Sequence, residues 1–148
     1  VFFIYRMNTL TRVVQTTLPF DMPASVEAWK VTGALFFGSV SKLEGVTDPK
    51  RITAANAAKV VILDFTDLLN IDNSAMDILQ AYLRALHPRG HELIIAGAAG
   101  HPLRQLNRTG IAQTLGANLV PDMLFAEKRA RDLIVEMKNR DDHSKPTI

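Results

Sequence analysis

Lys59-Val60-Val61-Ile62-Leu63-Asp64-Phe65 runs directly into Thr66-Asp67-Leu68-Leu69-Asn70-Ile71-Asp72-Asn73-Ser74-Ala75, and this stretch decides the fold class. Its first half is branched and apolar with no polar alternation, the pattern of a strand covered on both faces. From Ala75 the period changes. Ala75, Ile78, Leu79, Tyr82, Leu83 and Leu86 stand at i, i+3, i+4, i+7, i+8 and i+11, which lays one apolar stripe along a helix. His87-Pro88-Arg89-Gly90 stops that helix, and residues 92–97 read as a second buried strand. A strand, a helix-long crossover and another strand predict parallel neighbours in an α/β domain.

The pattern continues downstream. Pro102 suits the first turn of a helix, Leu103 and Leu106 its inner face, and Gly110 its stop. Residues 118–120 read as a short strand. Pro121-Asp122 then opens a last helix with Ala126, Ala130, Leu133, Ile134 and Met137 on one face, and residues 141–148 form a polar tail expected to be disordered. Upstream, residues 27–31 and 34–37 read as two short strands, with Gly33 as a turn or bulge between them. Val40, Leu43 and Val46, with the Ser41 to Glu44 capping-box spacing, predict a short helix ending near Asp48-Pro49. Residues 50–58 fit either loop or a further helical turn. Residues 8–26, with Pro19 and Pro23 and no sustained period, read as a linker. Val1-Phe2-Phe3-Ile4-Tyr5-Arg6-Met7 fits either an apolar strand or the end of a membrane or amphipathic helix; it lacks the layout of a signal peptide.

Composition narrows the functional classes. The 148 residues suffice for one domain with its own core. With no cysteine, disulfide scaffolds, cysteine-based zinc sites and thiol chemistry are excluded together. Seventeen Lys+Arg against 15 Asp+Glu, interspersed, give no basic footprint for nucleic acid. No apolar run approaches the roughly 20 residues of a membrane helix.

The chemistry-bearing residues gather where the main strand meets its helix. Asp64, Asp67 and Asp72, with Asn73 and Ser74, occupy that segment, and ligands of open parallel sheets collect at the carboxyl ends of strands. One reading is a loop facing a phosphate, a nucleotide or a partner protein, helped by free N–H groups at the helix start. The other is a helix cap made by Asp72 or Ser74, the latter having the S-x-x-D spacing to Asp77. The residues leave both open. The four histidines supply no catalytic base: His87 and His91 are separated by Pro88 and Gly90, no H-E-x-x-H occurs, and they read as surface or loop residues. Gly97 to Gly100 hints at a phosphate turn but lacks both the G-x-G-x-x-G and the P-loop patterns, and no G-x-S-x-G exists. Arg104 and Arg108 make a small basic patch that reads as a solvated face.

Three pieces in this order carry a family resemblance: Val31-Thr-Gly-Ala-Leu-Phe-Phe-Gly38-Ser-Val-Ser-Lys-Leu-Glu44, then residues 59–67 leading into Ile71-Asp72-Asn73-Ser74-Ala75, then His91-Glu-Leu-Ile-Ile-Ala-Gly97. Together, over about residues 27–138, they resemble a STAS domain, and the G-x-L-F-F-G stretch is similar to the cytoplasmic C-terminal STAS domain of SulP-type anion transporters, the sulfate permeases. The resemblance implies an α/β fold like that of the anti-sigma factor antagonists, with a mixed four-stranded sheet and packed helices. It divides the chain into a membrane-exit segment and linker (1–26), the STAS domain (27–140) and the tail (141–148). It also implies no catalysis, no metal, no cofactor beyond weak nucleotide binding, and a place on the cytoplasmic side of the inner membrane. The expected partners are the membrane domain of the parent transporter, a second copy as a homodimer, or a cytosolic protein, and not nucleic acid. Asp64, Asp67, Asp72, Asn73 and Ser74 form the expected ligand, partner or regulatory loop.

The alternative is a free-standing anti-sigma factor antagonist. Those relatives carry a phosphorylatable Ser or Thr directly after the Asp corresponding to Asp72, whereas this chain has Asn73 there, Ser74 one place later, and Ala75 where many have Gly. An asparagine cannot accept a phosphoryl group. Phosphate on Ser74 would add about −1.5 to −2 charges at a helix N-terminus, where the dipole tolerates them.

Overall fold

The computed structural model describes residues 11–35 and 46–144. The readings placed on residues 1–7, on residues 36–45 and on the last four residues lie outside them.

The elements, in chain order, are β1 (Arg12–Thr16), β2 (Val26–Leu35), α1 (Pro49–Thr53), β3 (Val60–Asp64), β4 (Leu68–Ile71), α2 (Asn73–Leu86), β5 (Glu92–Ala96), α3 (Gly100–Arg108), α4 (Ile111–Leu115), β6 (Leu119–Val120) and α5 (Met123–Ser144). The strands are hydrogen-bonded in the order β1-β2-β3-β5-β6, with β4 attached to β2. Only β1 runs antiparallel, against β2; the β2–β3, β3–β5, β5–β6 and β2–β4 pairs are parallel. The sheet is mixed, as expected, but among the described residues it has six strands where the resemblance implied four.

Every residue of β3 is buried because both faces of the sheet are covered. Side chains alternate across a strand. Val61 and Leu63 join Leu93, Ile95 and the α2 residues Ala75, Met76, Leu79 and Leu86 in one core. Val60 and Ile62 join Ile94, Ala96 and the α5 residues Ala126, Ala130 and Leu133 in the other. Helices on both faces of a mostly parallel sheet make a layered α/β domain.

Three segments differ from their expected structure. Arg12–Thr16, expected within a linker, is an edge strand in register with Ala28–Thr32 of β2. The two short strands expected around Gly33 are one strand of ten residues, because Gly33 takes φ +93 and bulges the chain rather than turning it. The register against β4 shifts at that point. The polar tail expected from residue 141 is helical as far as Ser144, as the end of α5.

Residues 50–58 divide between the two readings. Asp48 caps α1, its carboxylate accepting from the Lys50 N–H at 2.9 Å, and Pro49 occupies the first turn. A clasp ties this helix to the sheet. Arg51 donates to both oxygens of Glu27 at 3.0 and 3.1 Å, Trp29 Nε1 donates to Glu27 Oε1 at 2.9 Å, and the Arg51 guanidinium lies 5.2 Å from the centre of the Trp29 ring.

Candidate functional site

β3 and β4 both run parallel to β2, so the chain passes along β2, breaks after Asp64 and resumes pairing at Leu68. The break places Phe65, Thr66 and Asp67 at the carboxyl end of the central strands. Here the Phe65 N–H donates to the Ala96 carbonyl of β5, and the Gly33 N–H donates to the Asp67 carbonyl. Asp64 is buried, with 6% of its surface exposed. One of its oxygens accepts from the Thr66 N–H at 3.0 Å and from the Thr66 hydroxyl at 2.5 Å, so its charge is used locally to hold the break. Asp67 instead faces solvent and pairs with Lys30 of β2 at 2.8 Å. The hydrogen bond and charge of Asp67 push the Lys30 amine above its usual pKa.

A second group forms at the start of α2. Asp72 stands in extended conformation and its carboxylate accepts from the Ala75 N–H at 3.1 Å, the geometry of an N-cap. Asn73 Oδ1 accepts from Arg108 Nη2 at 2.5 Å, while Arg108 Nε donates to Gln105 Oε1 at 2.7 Å. The same helix, α3, closes the outer side of β4. The Ile71 N–H donates to His101 Nδ1 at 3.2 Å, and Gln105 Nε2 donates to the Ile71 carbonyl at 3.3 Å. Two side chains thereby do for Ile71 what a neighbouring strand would do. Ser74 lies half-buried in the first turn of α2.

The five expected site residues therefore fall into two places. Asp72, Asn73 and Ser74 come together with Arg108, Gln105 and His101. Asp64 and Asp67 sit at the other end of β4, and the nearer of them in sequence, Asp67, is about 16 Å of extended chain from Asp72 at roughly 3.3 Å per residue. The three aspartates form no common carboxylate site, and among the described residues no group of three metal-type ligands occurs. Of the two capping candidates, Asp72 makes the bond. Arg108 is more than the solvated face expected, since it ties α3 to α2. His91 stands in the loop before β5, in keeping with the expectation, and is half-buried; His101, in α3, is half-buried too and accepts a backbone hydrogen bond. The spacing of Arg104 and Arg108 marked the helix but gave no sign of which way it would face.

A break between two collinear strands, with the next helix capped by an aspartate beside it, is an arrangement that can be compared with known domains. The model of the STAS domain matches residues 25–126. The chain belongs to the STAS domain family. Relatives of this STAS domain include YvdB of Bacillus subtilis (strain 168), a protein named as a sulfate transporter, 28% identical over 120 residues. That alignment takes in 78% of this chain and 22% of the relative, so the chain spans about a fifth of that relative's length. A solved sulfate transporter family protein from Wolinella succinogenes is 27% identical with a TM-score of 0.66, over 80% of this chain and 92% of that one. An anti-sigma factor antagonist from Mycobacterium paratuberculosis shares the fold at 17% identity with a TM-score of 0.64, over 81% of this chain and 95% of that one. The α/β STAS fold is thus common to transporter domains and to antagonists. Among the described residues no helix is long and apolar enough to cross a membrane.

Proposed function

We propose that this STAS domain is the non-catalytic regulatory and interaction domain of a SulP-type inorganic anion transporter, acting on the cytoplasmic side of the inner membrane. The observation that carries the reading is Asn73. Its side-chain oxygen is engaged by Arg108 at 2.5 Å, at the position where the antagonist relatives carry a phosphorylatable hydroxyl. An amide that cannot take phosphate, clamped by a guanidinium, suits a constitutive contact surface better than a kinase-operated switch. Likeness to proteins named as sulfate transporters supports the same side.

The contact surface proposed is the start of α2 with the facing side of α3: Asp72, Asn73, Ser74 and Arg108. It suits a protein partner, either the membrane domain of the parent transporter, a second copy or a cytosolic protein. A nucleotide fits less well, because the Asp72 carboxylate already occupies the helix start and repels phosphate. Asp64 and Asp67 serve this surface indirectly, by holding the strand break from which β4 and α2 follow.

The test is anion uptake. In cells expressing the whole transporter, Asp72→Ala and Arg108→Glu are expected to lower labelled-sulfate uptake severalfold at unchanged membrane abundance. Uptake that is indifferent to both changes, and to removal of residues 27–140, would sink the proposal. The second reading, a free-standing antagonist, requires a cognate kinase to place stoichiometric phosphate on Ser74 and thereby release a bound partner.

A further inference from the structure

At the opposite end of the sheet, where the parallel strands begin, the end of α2, the start of β5 and α4 border an open cavity of about 580 Å³. Small-molecule sites span roughly 300–1,000 Å³. Its wall is apolar, made by Leu83, Leu86, Leu93 and Leu115, and its border carries Arg84, His87, His91 and Arg140. His91 and Arg140 also border a neighbouring cavity of about 210 Å³ with Lys59, Arg89 and Asp141.

Among the described residues, Arg84, Arg89, Arg140 and Lys59 are in no ion pair. The acidic side chain of the larger cavity, Glu92, is already engaged by Asn118 Nδ2 at 2.9 Å, and Asn118 Oδ1 accepts from Arg129 Nε at 2.8 Å. His91 Nδ1 is buried with no hydrogen-bond partner. Burial, then Arg89 and Lys59, push the His91 imidazole below its usual pKa. Apolar surface and positive charge outside any ion pair thus meet at one opening, which a ligand with an apolar body and an anionic head would match on both counts.

We propose that this cavity binds a small amphipathic carboxylate, its aliphatic body against the leucines and its head between Arg84 and Arg140. A single negative charge fits better than a phosphate dianion, because the carbonyl end of α2 opens on the same space and carries partial negative charge. The site lies at the other end of the strands from the α2 surface and is independent of the function proposed for it.

Decanoate titrated into the 15N-labelled 148-residue chain is expected to shift the amides of Arg84, Gly90, His91 and Thr114 with one saturating constant. Decanol, acetate and decyl phosphate are each expected to bind roughly tenfold more weakly, about 1.4 kcal/mol. Arg84 and Arg140 are exposed, so Arg84→Ala with Arg140→Ala is expected to weaken decanoate roughly tenfold at unchanged melting temperature. Thr114→Trp, also at an exposed position on the cavity border, blocks entry independently. Shifts scattered away from the cavity, unchanged affinity in both variants, or decanol binding as tightly as decanoate overturn the site. Tighter binding of decyl phosphate overturns the carboxylate assignment.

Discussion

Gly97 follows β5 with φ +74, and a Cβ placed on it would lie well inside contact distance of Thr66 Oγ1. That hydroxyl is not free to move, since it donates to the buried Asp64 carboxylate at 2.5 Å. Gly97→Ala therefore adds a left-handed backbone penalty of about 1–2 kcal/mol to a steric one. We expect a total loss of about 2–4 kcal/mol in urea unfolding; a variant within about 0.5 kcal/mol of the parent contradicts the close approach. The sequence marked Gly97 but only as a hint of a phosphate turn, because nothing local announces that Thr66, far back along the chain, occupies the missing side chain's space. Asp72 was more legible: capping is a local act, so a cap by Asp72 or Ser74 was one of the two readings of this loop, and the structure shows the bond made by Asp72. His91 gives a pH dependence of known sign. Its folded-state pKa lies below the ordinary 6.5, so between the two values the unfolded chain holds the proton and the folded chain does not. This contribution is full above pH 6.5, falls as pH drops from there toward the folded pKa, and then levels off. Subtracting the pH-stability curve of His91→Gln from that of the parent should leave this fall; a difference that rises on acidification refutes it.

Elements were legible in proportion to how much core each one buries. β3, α2 and β5 carry long apolar signals because both faces of the sheet are covered, and α5 showed its inner face through the spacing of Ala126, Ala130 and Leu133. β1 and β4 did not show. Arg12-Val-Val-Gln-Thr is an edge strand with no fully buried residue, so it carries no apolar alternation to read, although its pairing partner, β2, is the next strand in the chain. Leu68-Leu69-Asn70-Ile71 buries only its two ends, too little to separate a strand from a loop. The small residues of α5 have a use at this scale: Ala126 and Ala130 are fully buried, so the helix axis comes close to the sheet above Ile62 and Ile94. Ala130→Leu must push the helix off that surface, at a cost of about 1–3 kcal/mol. Val135, on the outward side, is 57% exposed, and Val135→Ser should stay within about 0.5 kcal/mol. Equal urea midpoints for the two variants would mean that α5 does not dock through this face.

For the whole molecule, the consequence of alternation along β2, β3 and β5 is that two cores share one set of backbones. Val61 and Val60 are neighbours in the chain yet lie in different cores, so neither helix layer can melt without disturbing strands that support the other. That coupling was implicit in the uninterrupted apolar run of residues 60–63, since a strand with one wet face would alternate. It predicts a single cooperative transition, as is usual for domains of this size. Trp29, the chain's one tryptophan, packs against the α2-side core, whereas Leu133 belongs to the α5-side core. Leu133→Ala should cost about 2–5 kcal/mol, and should move the tryptophan fluorescence midpoint as far as the far-UV circular dichroism midpoint. If Trp29 kept its parent midpoint while the helical signal fell early, α5 would be a separately melting layer and the two cores would not be coupled through the sheet.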